Sequence, residues 1–183
     1  MFTQQPIRYV DPYAPRGPLY RAFARLASSR FATWLSKKGI WSAIVWKIDP
    51  HLLRLTKGRL GTGLLLPTAL LETRGARTGL PRSNAVIYFH DGERVTIFAS
   101  QAGRPENPSW FYNARTNPDV IFGGEPFRAE LVEDEAKRAR LWRLADRVFP
   151  AFASYRNSAA DAGREIPILQ LAPRSAATDR GPA

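Results

Sequence analysis

Residues 72–82 read ETRGARTGLPR, and the fold turns on whether this stretch is the turn of a hairpin. LLLPTALLETR runs up to it and RSNAVIYFH runs away from it, both apolar and rich in strand formers. Gly75, Gly79 and Pro81 punctuate the middle, so two antiparallel strands over 66–73 and 82–89 are expected. Arg74, Arg77 and Arg82 crowd the connection, with no carboxylate between them. Glycines that permit positive φ would let backbone N–H groups converge on a ligand, and Thr73 and Thr78 add donors. Arginine grips phosphate or carboxylate with two parallel bonds, so the loop reads as an anion cradle at a barrel rim. A solvated loop whose arginines pair elsewhere is the plainer alternative.

Outward from the hairpin the pattern repeats. Asp91-Gly92 predicts a tight turn into RVTIFAS, and DVIF and PFRAELV pair across Gly123-Gly124. NPSWFYNARTNP predicts a short helix capped by Asn107 and ended by Asn117-Pro118. EDEAKRARLWRLADRVF is the clearest helix, with acids in its first turn and Leu141, Leu144 and Val148 at helical spacing. PAFASYRNSAADAGR predicts another, stopped by Gly163, and IPILQL a final strand. Strands joined by hairpins with helices at intervals give an α+β class: an antiparallel barrel or sheet with helical additions.

The first 63 residues differ in texture. They hold 11 Lys+Arg against Asp11 and Asp49, whereas the remainder of this chain of net charge +11 is nearly balanced. Residues 1–17 read as an extended or disordered arm. Basic amphipathic helices are expected across 18–57, with Trp34, Trp41 and Trp46 suited to a membrane interface. Packing of these helices on the barrel is the competing reading. The domain reading is therefore 1–63 a basic helical extension, 64–172 the barrel and 173–183 a disordered tail. Cysteine is absent, which removes thiolate and disulfide chemistry, and two histidines make a zinc site a poor expectation. His90, before the turn, reads as a surface residue. No run reaches the ~18–20 apolar residues of a membrane span, and the N-terminus lacks a signal-peptide core. A cytoplasmic address is expected, peripheral to the inner face of the plasma membrane if the basic helices bind lipid.

Two further constellations carry chemistry. In ASQAGRPENPSWFYNARTNP, residues 99–118, the helix start at Asn107-Pro108 offers N–H groups to an anion. There Trp110 either stacks on a planar ring or, with Phe111, packs in the core. In FPAFASYR, Phe149, Phe152 and Tyr155 recur every three residues as core or as a lid over a flat apolar substrate. No nucleophile–base set is evident, and Gly58, Gly61 and Gly63 lack a strand–turn–helix setting. Anion-binding groups and aromatic walls suit a large anionic cofactor that brings its own reactivity.

In this order the motifs resemble the deazaflavin (F420)-dependent nitroreductase and quinone reductase family. They are T-x-G-x-[RK]-T-G-x-P-R from Thr73 to Arg82, Ala99-Ser100, G-x-x-x-N-P-x-W-x-x-N from Gly103 to Asn113, Phe149 through Tyr155, and Ile166-Pro167. The resemblance implies a split β-barrel like that of flavin reductases. It also implies coenzyme F420, an 8-hydroxy-5-deazaflavin with a phosphodiester and polyglutamate tail. It places Arg77, Thr78, Gly79 and Arg82 on the phosphate and tail, with Thr73 in the same motif and Asn84 on the strand face of Arg82. Ser100 and Gly103 would lie along the cofactor, and Asn107, Pro108, Trp110 and Asn113 would shape the pocket. Tyr155 would face the substrate as the catalytic residue; no metal is implied. Reduced deazaflavin would pass hydride to a quinone, nitroaromatic or similar acceptor, often at the membrane. Gln101 stands where relatives carry lysine, and Phe149 and Phe152 where nitroimidazole-reducing members carry tyrosine. Two readings compete: the same fold with flavin mononucleotide, whose one phosphate the arginines could hold, and a basic nucleic-acid-binding barrel.

Overall fold

The computed structural model describes residues 7–18, 20–22 and 66–174. Within them the chain runs β1 (Thr68–Arg74), β2 (Pro81–Asp91), β3 (Arg94–Phe98), α1 (Ser109–Thr116), β4 (Asp119–Phe122), β5 (Glu125–Leu131), α2 (Glu135–Val148), α3 (Ala151–Asp161) and β6 (Ile168–Pro173). The strands close in the order β1-β2-β3-β6-β5-β4, all pairings antiparallel. This is the expected α+β split β-barrel with helices packed on it.

Strand alternation builds two cores from one sheet. Leu71, Val86, Tyr88, Val95, Ile97, Phe122 and Leu169 fill the interior, with Tyr88 edge-on to Phe122 at 5.2 Å between ring centroids. On the outer face, Phe98 meets Trp142 of α2 at 4.5 Å and Phe152 of α3 at 5.1 Å. Strands buried on both sides therefore read as unbroken apolar runs rather than strict alternation. Asp91 does more than turn the chain: Arg140 of α2 donates to both its oxygens at 2.7 and 2.6 Å. Those bonds hold its carboxyl below the usual range and tie α2 to the end of β2.

One reading is sharpened and one is corrected. Of the arm expected to be extended or disordered, residues 7–16 are docked on the barrel: Val10 is buried in the core, and Tyr88 Oη donates to the Arg8 carbonyl at 2.8 Å. His90 is buried, not superficial, because it shares the inward-facing row of β2 with Val86 and Tyr88. Its N–H donates to the Val10 carbonyl at 2.9 Å, and its Nδ1 accepts from the Val10 N–H at 3.0 Å. A helical turn begins at Pro18, where the Arg21 N–H donates to the Gly17 carbonyl at 3.1 Å. The helices expected through residue 57, the glycines at 58, 61 and 63 and the tail after 174 lie outside the described residues. Pro173, expected in the tail, ends β6. No helix among the described residues is long and apolar enough to cross a membrane.

The Val10–His90 bond needs a neutral ring, and burial pushes the His90 pKa below its ordinary value. Its contribution is therefore complete above roughly pH 6.5 and is lost as pH falls through the lowered folded value. Thermal melts across that window should show a loss of stability in the native chain. His90→Asn, which keeps an acceptor oxygen but does not titrate, should flatten it; an unchanged pH profile would remove His90 as the cause.

Candidate active site

The β1–β2 connection is built as a closed loop. The Gly75 N–H donates to the Leu80 carbonyl at 2.9 Å, and the Gly79 N–H to the Gly75 carbonyl at 2.8 Å. These two N–H groups are thus occupied within the loop, which corrects the expectation that glycine amides converge on a ligand. Only Gly79 has positive φ, at 68°. Gly75 is needed for space instead, since a Cβ there would sit 2.8 Å from Thr78 Oγ1. Thr78 Oγ1 in turn accepts from the Leu80 N–H at 3.4 Å. What the loop presents outward is its side chains: Arg74, Arg77, Thr78 and Arg82 are all exposed.

Asn113 anchors this loop to α1. Its Nδ2 donates to Thr73 Oγ1 at 3.2 Å and its Oδ1 accepts from the Ala76 N–H at 3.0 Å. One turn later, Asn117 Nδ2 reaches the Arg74 carbonyl at 3.4 Å. Thr73 and Asn113 are both buried, at 4% and 8% exposure, so they position the rim rather than line it. The strand register sets Arg82 beside Thr73 and Asn84 beside Leu71, on the inward-facing row as alternation predicted.

The second rim begins where β3 ends. Ser100 leads into a tight turn at Gln101–Gly103, in which Gln101 and Ala102 have φ of 47° and 54°. Left-handed backbone at two non-glycine residues costs on the order of 1–3 kcal/mol each and persists only where neighbours impose it. Gly103 lies against α3: a Cβ there would meet the Tyr155 carbonyl at 2.8 Å and Ser158 Cβ at 2.9 Å. The turn therefore touches the helix that carries Tyr155.

Arg164, which the sequence reading passed over, holds this rim from below. Its Nη1 donates to the Ala99 carbonyl at 3.0 Å and to Asn107 Oδ1 at 2.6 Å, and its Nη2 to the Ser100 carbonyl at 2.8 Å. Asn107 thus serves Arg164 and does not cap α1, whose first turn has no side-chain cap. A guanidinium directly after a helix-stopping glycine and before the last strand was the available signal.

The aromatic expectations divide. Trp110 and Phe111 are each 6% exposed and Pro108 is buried, so Trp110 packs in the core and has no free face for a planar ring. Phe149 and Phe152 are core as well, which sets aside their role as a lid. Tyr155 is only partly buried, packs edge-on to both at 6.0 and 6.1 Å, and among the described residues its hydroxyl has no hydrogen-bond partner. Burial raises its pKa, so the phenol keeps its proton at neutral pH.

The structure thus gathers two clusters, Thr73–Asn113–Arg82 and Ser100–Gly103–Asn107–Tyr155, at the two ends of α1, a helix roughly 12 Å long. The first holds three exposed arginines on one connection. Arg94, Arg128, Arg138, Arg140, Arg156 and Arg174 each pair with a carboxylate. Arg74, Arg77 and Arg82 have no such partner among the described residues. Arg115, Arg143 and Arg147 also lack a carboxylate partner among the described residues, but they sit on the helices α1 and α2. Two clefts, of about 360 and 130 Å³, lie instead along β5 and β6, and no predicted site residue lines either. Among the described residues no group of three or more His, Cys, Asp and Glu could hold a metal ion.

The family model described as F420H(2)-dependent quinone reductase matches residues 46–173. The chain belongs to that family. The match starts upstream of residue 64, inside the segment read as an extension. A Mycobacterium tuberculosis protein named F420H(2)-dependent quinone reductase is 34% identical over 135 residues, covering 70% of this chain and 89% of its own. A solved F420-H2 dependent reductase is 29% identical with a TM-score of 0.50, covering 57% of this family member and 93% of that chain. Another solved structure, described as a domain-swapped dimer, is 26% identical with a TM-score of 0.52, over 68% and 96% of the two chains.

Replacing Asn113 by Ala would strand the buried Thr73 hydroxyl and the Ala76 N–H together. The expected cost is about 1–3 kcal/mol, read as a fall in Tm of several degrees. Asn113→Asp, which keeps the acceptor for Ala76 N–H but loses the donor to Thr73, should fall between the two.

Proposed function

We propose that this chain transfers hydride from reduced coenzyme F420 to a quinone at a membrane surface. Its family is that of F420-dependent oxidoreductases, and coenzyme F420 is its cofactor. The observation that carries the rest is the set of three rim guanidiniums with no carboxylate partner among the described residues. These residues fit the cofactor by charge and chemistry: a polyanionic tail supplies the negative groups that the three clustered arginines do not find among the described residues of the protein.

When bound, F420 supplies the two-electron hydride chemistry. The protein's part is to bind and orient. Arg77 and Arg82 grip phosphate and tail, with Thr78 beside them on a loop shaped by Gly79. Asn84 continues the inward row of Arg82. Ser100 and Gly103 form the opposite rim, set by Asn107, Pro108 and Trp110 from behind, while Asn113 sets the first. Tyr155, protonated at neutral pH, aims a hydroxyl donor at the acceptor, where it can bond to a quinone oxygen as negative charge develops. A nitro acceptor makes the same demand for hydride and proton; Phe149 and Phe152, buried without hydroxyls, bring no further donors.

The membrane part rests on the sequence of residues 18–57, with its lysines, arginines and three tryptophans. Each basic residue near an anionic surface contributes about 1 kcal/mol. The barrel-containing unit proposed for the redox site is 64–172, and a cytoplasmic, peripheral location follows from this reading.

One assay addresses acceptor and surface together. Reduced F420 should be oxidised by the full chain with menaquinone embedded in anionic vesicles, several-fold faster than in neutral vesicles, and the advantage should shrink with salt. Equal rates in both vesicles would remove the membrane proposal. No oxidation with any quinone, alongside turnover of a nitroaromatic, would replace the acceptor.

A further inference from the structure

We infer that Arg164 is the positioning residue of the second rim, its guanidinium fastening Ala99, Ser100 and Asn107 in the arrangement that receives the cofactor. The inference rests on the F420 reading above and extends it to a residue outside the motif-matched set.

Local structure puts Arg164 there. α3 ends in a Schellman motif: Gly163 has φ 70°, its N–H donates to the Ala160 carbonyl at 2.8 Å, and the Arg164 N–H donates to the Ala159 carbonyl at 2.8 Å. The glycine turns the chain back, so that the next side chain reaches across to the end of β3. Ile166-Pro167 then leads into β6, and the Ala99 N–H donates to the Pro167 carbonyl at 3.0 Å. Two links thus join residue 99 to the 164–167 segment, one through the backbone and one through the guanidinium.

The partners are unusual for this protein. Where Arg94, Arg128, Arg138, Arg140, Arg156 and Arg174 face carboxylates, Arg164 spends its fork on two carbonyls and an amide oxygen. Its Nε is buried and unpartnered. Among the described residues no carboxylate is within ion-pair distance; Glu106 and Tyr112 act on it from farther away. A partly buried cation with neutral partners keeps its net charge, which is costly for stability alone and useful beside an anionic ligand. The fork also spans three acceptors on both sides of the Gln101-Ala102 turn, whose left-handed backbone would relax without it. Lysine, a single point donor, cannot bridge the same three.

If the rim occupies its binding arrangement only part of the time, apparent affinity falls by that fraction while turnover at saturation is kept. Three variants of the full chain separate the outcomes: Arg164→Gln, Arg164→Lys and Asn107→Ala. Without ligand, amide exchange should rise in a peptide spanning 99–108, where the Gly103 and Arg104 N–H groups bond to Ser100 and Gln101 carbonyls. Exchange in α2 and β2 should not change. F420 binding, followed by fluorescence, should weaken about tenfold in Arg164→Gln, less in Asn107→Ala, with Lys restoring little. KM for F420 should rise while kcat stays within about twofold. Unchanged binding and exchange in the Arg164 variants would overturn the inference, as would a fall in kcat at unchanged affinity or exchange rising throughout the barrel. If the native chain itself fails to bind F420, the functional reading falls and this inference with it.

Discussion

Closure of the barrel between β1 and β4 is the constraint on which the site depends. The seam is short, only Leu71 opposite Phe122 and Glu72 opposite Ile121, yet both residues of the first pair are fully buried. Once β1 is pinned at both edges, the chain between β3 and β4 must cross near the start of the hairpin loop. α1 makes that crossing, contacting β1 and β5, and Asn113 and Asn117 convert proximity into hydrogen bonds to the loop. The hairpin rim is rigid because a helix in the connection holds it.

Charge follows from the same geometry. An arginine over a packed face must find a carboxylate or stay at the surface, because an uncompensated buried charge is expensive. Arg138, 9% exposed at its side chain, accordingly meets Glu165 and Glu135. At the rim, Arg74, Arg77 and Arg82 are exposed and have no carboxylate partner among the described residues. Arg164 is the intermediate case: partly desolvated, its pKa lowered by burial, and compensated by dipoles. The two rims therefore carry positive charge in different ways, one exposed, the other fixed in the frame.

Much of this was legible in residue order. Hairpin signals at Asp91-Gly92 and Gly123-Gly124 and the capped helix from Asp134, whose side chain accepts from the Lys137 N–H at 2.7 Å, are local features that need no tertiary knowledge. The motif matches also led to the correct family. Three things were not legible. Asn107 looks like a helix cap, but a distant guanidinium competes for its oxygen. Trp110 has the chemistry of a stacking platform, and only closure of the barrel decides that it is buried. His90 borders a turn and so suggests the surface, although strand alternation already placed it with Val86 and Tyr88. In each case a partner far along the chain outweighed the local signal; Val10 and His90 are 80 residues apart.

The unpaired rim cations are there to hold a polyanionic tail. Comparing the affinity of the native chain for intact F420 with that for the same deazaflavin lacking phosphate and glutamates tests it most directly. Intact F420 should bind at least tenfold tighter at low salt. That advantage should shrink as salt rises and vanish when Arg77 and Arg82 are both alanine, with the fold unchanged. Equal affinity for the two compounds, or an advantage that survives loss of both arginines, would contradict it.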